Sequence, residues 1–154
     1  MNQLAHIFLT YLALSFIIPE THKFLFPIAL FAIVLDIDHI PGYIKIFKYD
    51  KSKMQIKDYV NLFRTTIQEP IGIITIELIF LILYLYGIQS VYLLIASLGI
   101  AMHWLIDFLT VHTRPYDPIN KRIVSLFFCS KKQRIVSEVV ITIVSGVLFF
   151  VVYF

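Results

Sequence analysis

Apolar residues along this chain gather into five long runs, at positions 4–18, 24–40, 71–86, 91–111 and 135–154. A membrane-crossing helix needs about 20 such residues, with ~17–25 as the usual range. The fourth and fifth runs meet that length, the second and third are close to it, and the first is short. A short first helix can tilt, or can be lengthened by Asn2 and Gln3. The runs are continuous rather than strictly alternating, so a transmembrane β-barrel is not expected. The pattern predicts a single domain over residues 1–154, an all-α integral membrane bundle of about five transmembrane helices.

The connections between runs are unequal. Residues 19–23 and 87–90 form short links with little net charge. Residues 45–64 carry Lys45, Lys48, Lys51, Lys53, Lys57 and Arg64, and residues 114–134 carry Arg114, Lys121, Arg122, Lys131, Lys132 and Arg134. Lys23 is the one basic residue outside these two connections, which share a side if all five runs span. Basic loops stay in the cytoplasm, so the N-terminus is expected inside and the C-terminus outside. Within the first basic connection Ile56, Tyr59, Val60, Phe63 and Ile67 repeat at helical spacing. Lys53, Lys57, Asp58 and Arg64 lie between them, the pattern of an amphipathic helix in the interface with its lysines near anionic headgroups.

Composition agrees with the runs. Of 154 residues, 59% are hydrophobic and 15% are charged, against about a quarter charged in soluble domains. The fourteen Phe and nine Tyr suit lipid contact and interfacial anchoring. The first run lacks a basic leader and a small-x-small cleavage site and contains His6, so it reads as retained rather than as a signal peptide. Cys129 is the only cysteine, which excludes an intrachain disulfide and a cysteine metal knuckle. Any metal would use His, Asp and Glu. A nucleic-acid partner is not expected.

Ionisable groups inside spanning helices cost about 2.5–3.5 kcal/mol or more at the centre and call for a reason. His6 lies in the first run, Asp36, Asp38 and His39 end the second, Glu69 and Glu77 stand near the start of the third, and His103 and Asp107 close the fourth. The topology drawn from the basic loops puts all of these except the deeper Glu77 at one, cytoplasmic, face. His22 falls on the opposite side, and His112 stands just beyond the fourth run. His103 and Asp107 are i, i+4 and share a helical face. Asp36 and His39 are i, i+3 and also share one, while Asp38 points elsewhere unless the helix unwinds before Pro41-Gly42. Carboxylates at a helix C-terminus oppose the helix dipole, which favours a bound cation there. Mixed imidazole and carboxylate donors suit Zn²⁺, Mn²⁺ or Fe²⁺, with zinc the first expectation. His6, Asp36, His39, His103 and Asp107 are the expected ligands. The donors outnumber the needs of one tetrahedral ion, so a dinuclear site, outer-shell partners or a general base are all open.

The order of these motifs resembles the YdjM-like family, small multi-helix proteins described as membrane-bound metal-dependent hydrolases. The shared pieces are the early His6, Asp36-Ile37-Asp38-His39, and His103-Trp104-Leu105-Ile106-Asp107-Phe108-Leu109-Thr110. Together they cover most of the chain to about Arg122. The chain departs from that pattern with Ala5, Leu35 and Val111 in place of a glycine and two prolines. It departs further at Phe63-Arg64-Thr65-Thr66-Ile67-Gln68-Glu69, where Arg64 matches but Phe63 and Gln68 replace two histidines.

The resemblance implies a metal-dependent hydrolase, and the shared depth of the expected ligands beside a basic surface points to one at the cytoplasmic leaflet acting on a lipid or phosphorylated amphiphile through a metal-activated water. Asp38 or Glu69 would be the general base, and Arg64 with the loop cations would hold a phosphate. Two other readings compete: an ion-transporting protein, and a scaffold in which the ion is structural.

Overall fold

The computed structural model describes residues 2–46, 58, 60, 62, 65–120, 122–126 and 130–154. It is all-helical: among the described residues the only β pairing is an isolated bridge between Thr113 and Val124. The helices are α1 (Gln3–Ser15), α2 (Leu25–Ile33), α3 (Ile40–Ile46), α4 (Pro70–Leu85), α5 (Val91–Thr110) and α6 (Lys131–Tyr153). Short 3₁₀ turns at Thr21–Phe24 and Val34–His39 join α2 and α3 into one continuous 26-residue stretch, Thr21–Ile46.

Among the described residues three helical segments are long and apolar enough to cross a membrane: Thr21–Ile46, Val91–Thr110 and Lys132–Tyr153. This is fewer than the five crossings expected. At 1.5 Å per residue, the 13 residues of α1 and the 16 of α4 fall short of the ~30 Å hydrocarbon core. The reason is local. α1 stops four residues before Pro19. α4 starts at Pro70, whose missing N–H is tolerated in a first turn, and ends before Gly87, which has φ +90°. Of the expected amphipathic helix, Lys53, Ile56, Lys57, Tyr59, Phe63 and Arg64 lie outside the described residues. Asp58, Val60 and Leu62 are helical and Val60 is buried.

Direction follows from contacts. Phe24 meets Tyr92 and Phe31 meets Gly99, so α2 and α5 run parallel. Phe8 lies against Gly146 and Tyr11 against Phe149, so α1 and α6 are parallel too. Ser97 bonds Glu77 across α4 and α5. Tyr11, Leu14, Ile18, Ile28, Ile95 and Phe149 form the main core, with Tyr11 edge-on to Phe149 at 4.7 Å between centroids. Such aromatic pairs contribute about 0.5–1.5 kcal/mol beyond area. A smaller cluster of Leu35, Ile73 and Ile100 lies nearer the polar end.

The outward faces are apolar. Ile74, Leu78, Leu81, Ile82 and Leu85 are exposed on α4, and Val136, Val140, Ile143, Val147 and Val151 on α6. Water-soluble monomers rarely expose contiguous patches of this kind; a hydrocarbon surround suits them.

Two glycines set close approaches that matter below. A Cβ on Gly99 would lie 2.9 Å from Phe31 Cβ, so α5 sits tightly against α2, as small residues allow in membrane bundles. A Cβ on Gly72 would lie 2.4 Å from the Thr66 carbonyl oxygen, so the 3₁₀ turn Thr66–Gln68 folds directly onto the first turn of α4.

Candidate metal centre

The start of α1, the 3₁₀ segment after α2, the turn before α4 and the end of α5 meet at one end of the bundle. Asn2 caps α1, its side chain accepting from the Leu4 N–H at 3.0 Å, and this fixes His6 one turn into the helix. His6 is fully buried, and its ring stacks on that of His103, with centroids 4.0 Å apart and planes 9° apart. Asp107, one turn beyond His103 on α5, brings Oδ1 to 3.3 Å from His6 Nε2. Each of His6, His103 and Asp107 offers a donor atom within 4.8 Å of the other two, and all three are buried.

Close packing at Gly99 has a direct effect here. Gly99 and His103 are i, i+4, so the glycine that lets α2 approach lies one turn before the histidine. The result is a 2.6 Å bond between His103 Nδ1 and the Ala32 carbonyl. A carbonyl only accepts, so Nδ1 bears a proton, and in the neutral ring Nε2 keeps its lone pair. That lone pair faces Asp36 Oδ1 at 3.6 Å. A donor bond on the far ring nitrogen is the usual means of orienting a ligating histidine.

The 3₁₀ segment explains how Asp36 and Asp38 both contribute. Pro41 has no N–H for the Ile37 carbonyl, and the Ile40 N–H bonds that oxygen instead. Three residues per turn then place Asp36 and His39 above one another, with Asp36 Oδ1 at 3.7 Å from His39 Nε2. The helix does not unwind before Pro41 but tightens into a 3₁₀ turn, and Asp38 Oδ1 lies 3.2 Å from His39 Nδ1.

Asp38 is held firmly. Its Oδ2 accepts from the Thr65 hydroxyl, and its Oδ1 accepts from Gln68 Nε2 at 2.6 Å. Gln68 is buried and also donates to the Leu35 carbonyl at 2.9 Å. Gln68 is therefore built into the site as the donor that ties Asp38 to the backbone. Thr65 carried no signal in the sequence beyond polarity next to a basic connection. Ala32 carried none, because it contributes through its main chain. Thr10, one turn from His6 on the same face, is fully buried with its hydroxyl lacking a hydrogen-bond partner.

Glu69 lies in a neighbouring network. Its Oε1 accepts from the Arg114 N–H at 2.9 Å and lies 3.8 Å from Arg114 Nε. Arg114 Nη1 is 4.0 Å from Asp117 Oδ1, and Thr66 Oγ1 donates to Asp117 Oδ2 at 2.7 Å. Glu69, Arg114 and Asp117 are all buried. Arg64 lies outside the described residues. Glu77 bonds Ser97 between α4 and α5, and His22 lies in the Thr21–Phe24 turn at the other end of α2. His112 is half-buried, and burial together with Arg134 pushes its imidazole below the ordinary range.

Electrostatics bear on what this end of the bundle can do. Two carboxylates, Asp36 and Asp107, face two histidines whose stacked rings repel each other strongly if both are protonated. One imidazolium at most leaves excess negative charge in a buried place, an expensive arrangement. A divalent cation would cancel both carboxylates and give the buried nitrogens a partner: neither ring nitrogen of His6, nor His103 Nε2, makes a hydrogen bond. Donors around a tetrahedral zinc at ~2.0–2.1 Å stand about 3.3 Å apart, close to the His6–Asp107 and His103–Asp36 separations. Comparison with known protein families, with characterised proteins and with solved structures finds no match.

Proposed function

We propose that this protein is a membrane-embedded, metal-dependent hydrolase working at the face where its basic connections lie, on a lipid or a phosphorylated amphiphile. The observation that carries the reading is the set of both His6 ring nitrogens and His103 Nε2, buried without hydrogen-bond partners, converging with Asp107 and Asp36. These four residues would hold the ion, with zinc favoured over manganese or iron by the imidazole share. When bound, such an ion supplies Lewis acidity and lowers the pKa of a coordinated water.

The chain's own residues divide the remaining work. His6, His103 and Asp107 form a closed floor, whereas Asp36 and His39 keep 17% and 18% of their side chains exposed. That rim is the side open to water and substrate, and an open position separates catalytic from purely structural ions. Asp38, accepting from Thr65 and Gln68, positions His39 rather than taking a proton itself. Glu69 positions the 114–117 turn through Arg114. The basic connections at this end attract anionic headgroups and phosphorylated substrates. By the positive-inside rule this face is cytoplasmic.

A second reading, a scaffold stapled by a structural ion, draws on the deep burial of the floor. One experiment separates the two. The detergent-purified chain is analysed for transition metals and assayed on lipid and phosphoester substrates, alongside His103→Ala and Asp38→Asn. A hydrolase loses turnover in both variants, with Asp38→Asn still folded and still metal-loaded. A scaffold shows metal and no turnover, and a wild-type chain devoid of metal after gentle extraction overturns both.

A further inference from the structure

Resting on that reading of the same site, we infer that Asp36 bridges two metal positions, the buried one and a second at the rim held by His39. Asp36 Oδ1 is nearly equidistant from two imidazole nitrogens of different elements, 3.6 Å from His103 Nε2 and 3.7 Å from His39 Nε2. Both spacings suit two donors of one ion at ~2.0–2.2 Å bond lengths. The two histidines sit in different settings: His103 is 1% exposed and His39 is 18% exposed. A single ion placed among His6, His103 and Asp107 would take Asp36 together with His103 and leave His39 outside its ligand set.

Orientation supports the assignment. His103 gives its Nδ1 proton to the Ala32 carbonyl, and the Nδ1 side of His39 faces Asp38 Oδ1 at 3.2 Å. Both rings are thereby turned so that Nε2 points at the same carboxylate oxygen. A carboxylate behind a histidine is the usual support for a metal ligand, and Asp38 is itself fixed by Thr65 and Gln68. The 3₁₀ pitch enforced by Pro41 is what puts Asp36 and His39 on one edge. Such a layout matches two-metal hydrolytic sites, in which ions about 3.5–4 Å apart share an oxygen ligand. The rim position has fewer protein donors, so water or substrate oxygens complete it, and it binds more weakly.

Metal stoichiometry tests this independently of activity. The purified full chain, titrated with Zn²⁺ and separated from free metal, is expected to hold two ions per chain, the weaker removed first by a mild chelator. His39→Ala should saturate at one ion and retain it under that chelator. Asp38→Asn, which keeps the side-chain volume, should weaken the second ion and spare the first. With Mn²⁺ at saturation, spin coupling between neighbouring ions should appear in the wild type and vanish in His39→Ala. A monodisperse profile in size-exclusion chromatography guards against misfolding of the variants. Saturation of the wild type at one ion, or two ions retained in His39→Ala, overturns the bridge and leaves the proposed hydrolase standing. No bound metal in the wild type overturns both.

Discussion

Ala32 and His103 are joined by a 2.6 Å bond from ring Nδ1 to main-chain oxygen, linking the last turn of α2 to the closing half of α5. The bond exists because Gly99, one turn earlier, lets the two helices meet. Gly99→Ala puts a methyl group 2.9 Å from Phe31 Cβ, and overpacking of this sort costs about 1–3 kcal/mol. The variant should melt earlier in detergent and lose metal affinity, although no ligand has been altered. Unchanged metal binding would detach ligand orientation from helix spacing.

Gln68→Leu removes the donor that serves both Asp38 and the Leu35 carbonyl. A buried acceptor stripped of its partner costs about 1–3 kcal/mol, more where it is charged. The expected result is a lower unfolding midpoint with the metal content of the buried position kept. Gly72→Ala should act on the same turn from its other side, because the new Cβ meets the Thr66 carbonyl. Thermal unfolding of the two single variants and the double would show less than additive losses if they share one structural cause.

Arg114→Ala leaves the buried carboxylates of Glu69 and Asp117 without their shared cation. Removing one partner from a buried pair destabilises by about 3–5 kcal/mol. Arg114→Lys should rescue only part of this, since an ammonium cannot span two carboxylates as a guanidinium does. Expression yield and unfolding midpoints of the two variants check it; equal yields from Arg114→Ala and wild type would contradict the network's importance.

His112 gives a pH dependence of known sign. Burial, then Arg134, lowers its folded-state pKa below the ordinary imidazole value. The unfolded chain therefore binds its proton first, and stability falls as pH drops from ~6.5 toward the folded value. Above that window the contribution is complete. Arg134→Gln should shift the His112 titration, followed by NMR at the ring Cε1 proton, upward toward the usual range. No movement would mean Arg134 contributes nothing to the shift.

Much of this architecture can be read from the residues alone. Continuous apolar runs announce helices, and the i, i+4 spacing of His103 and Asp107 announces a shared face. The asymmetric basic connections already grouped His6, Asp36 and His103 at one end. Length was harder to read: α1 and α4 are cut short by Pro19, Pro70 and Gly87, and a hydropathy run does not register helix ends at that resolution. Gln68 was harder still. Read as a missing histidine, it looks like a loss, whereas folding turns its amide inward onto Asp38 and a main-chain oxygen. No pattern in one sequence reveals a partner thirty residues away, and none shows that Ala32 contributes a carbonyl.

His6 and Asp107 enter from the first helix and the last turns of α5, the start and finish of most of the chain. Their contact closes a loop of about a hundred residues that contains α2, α4 and most of α5. Closure over so long a span carries an entropic cost that grows only slowly with loop length. The contact thus ties two distant stretches of the chain to one buried pair, so a displacement of either helix is felt at both residues.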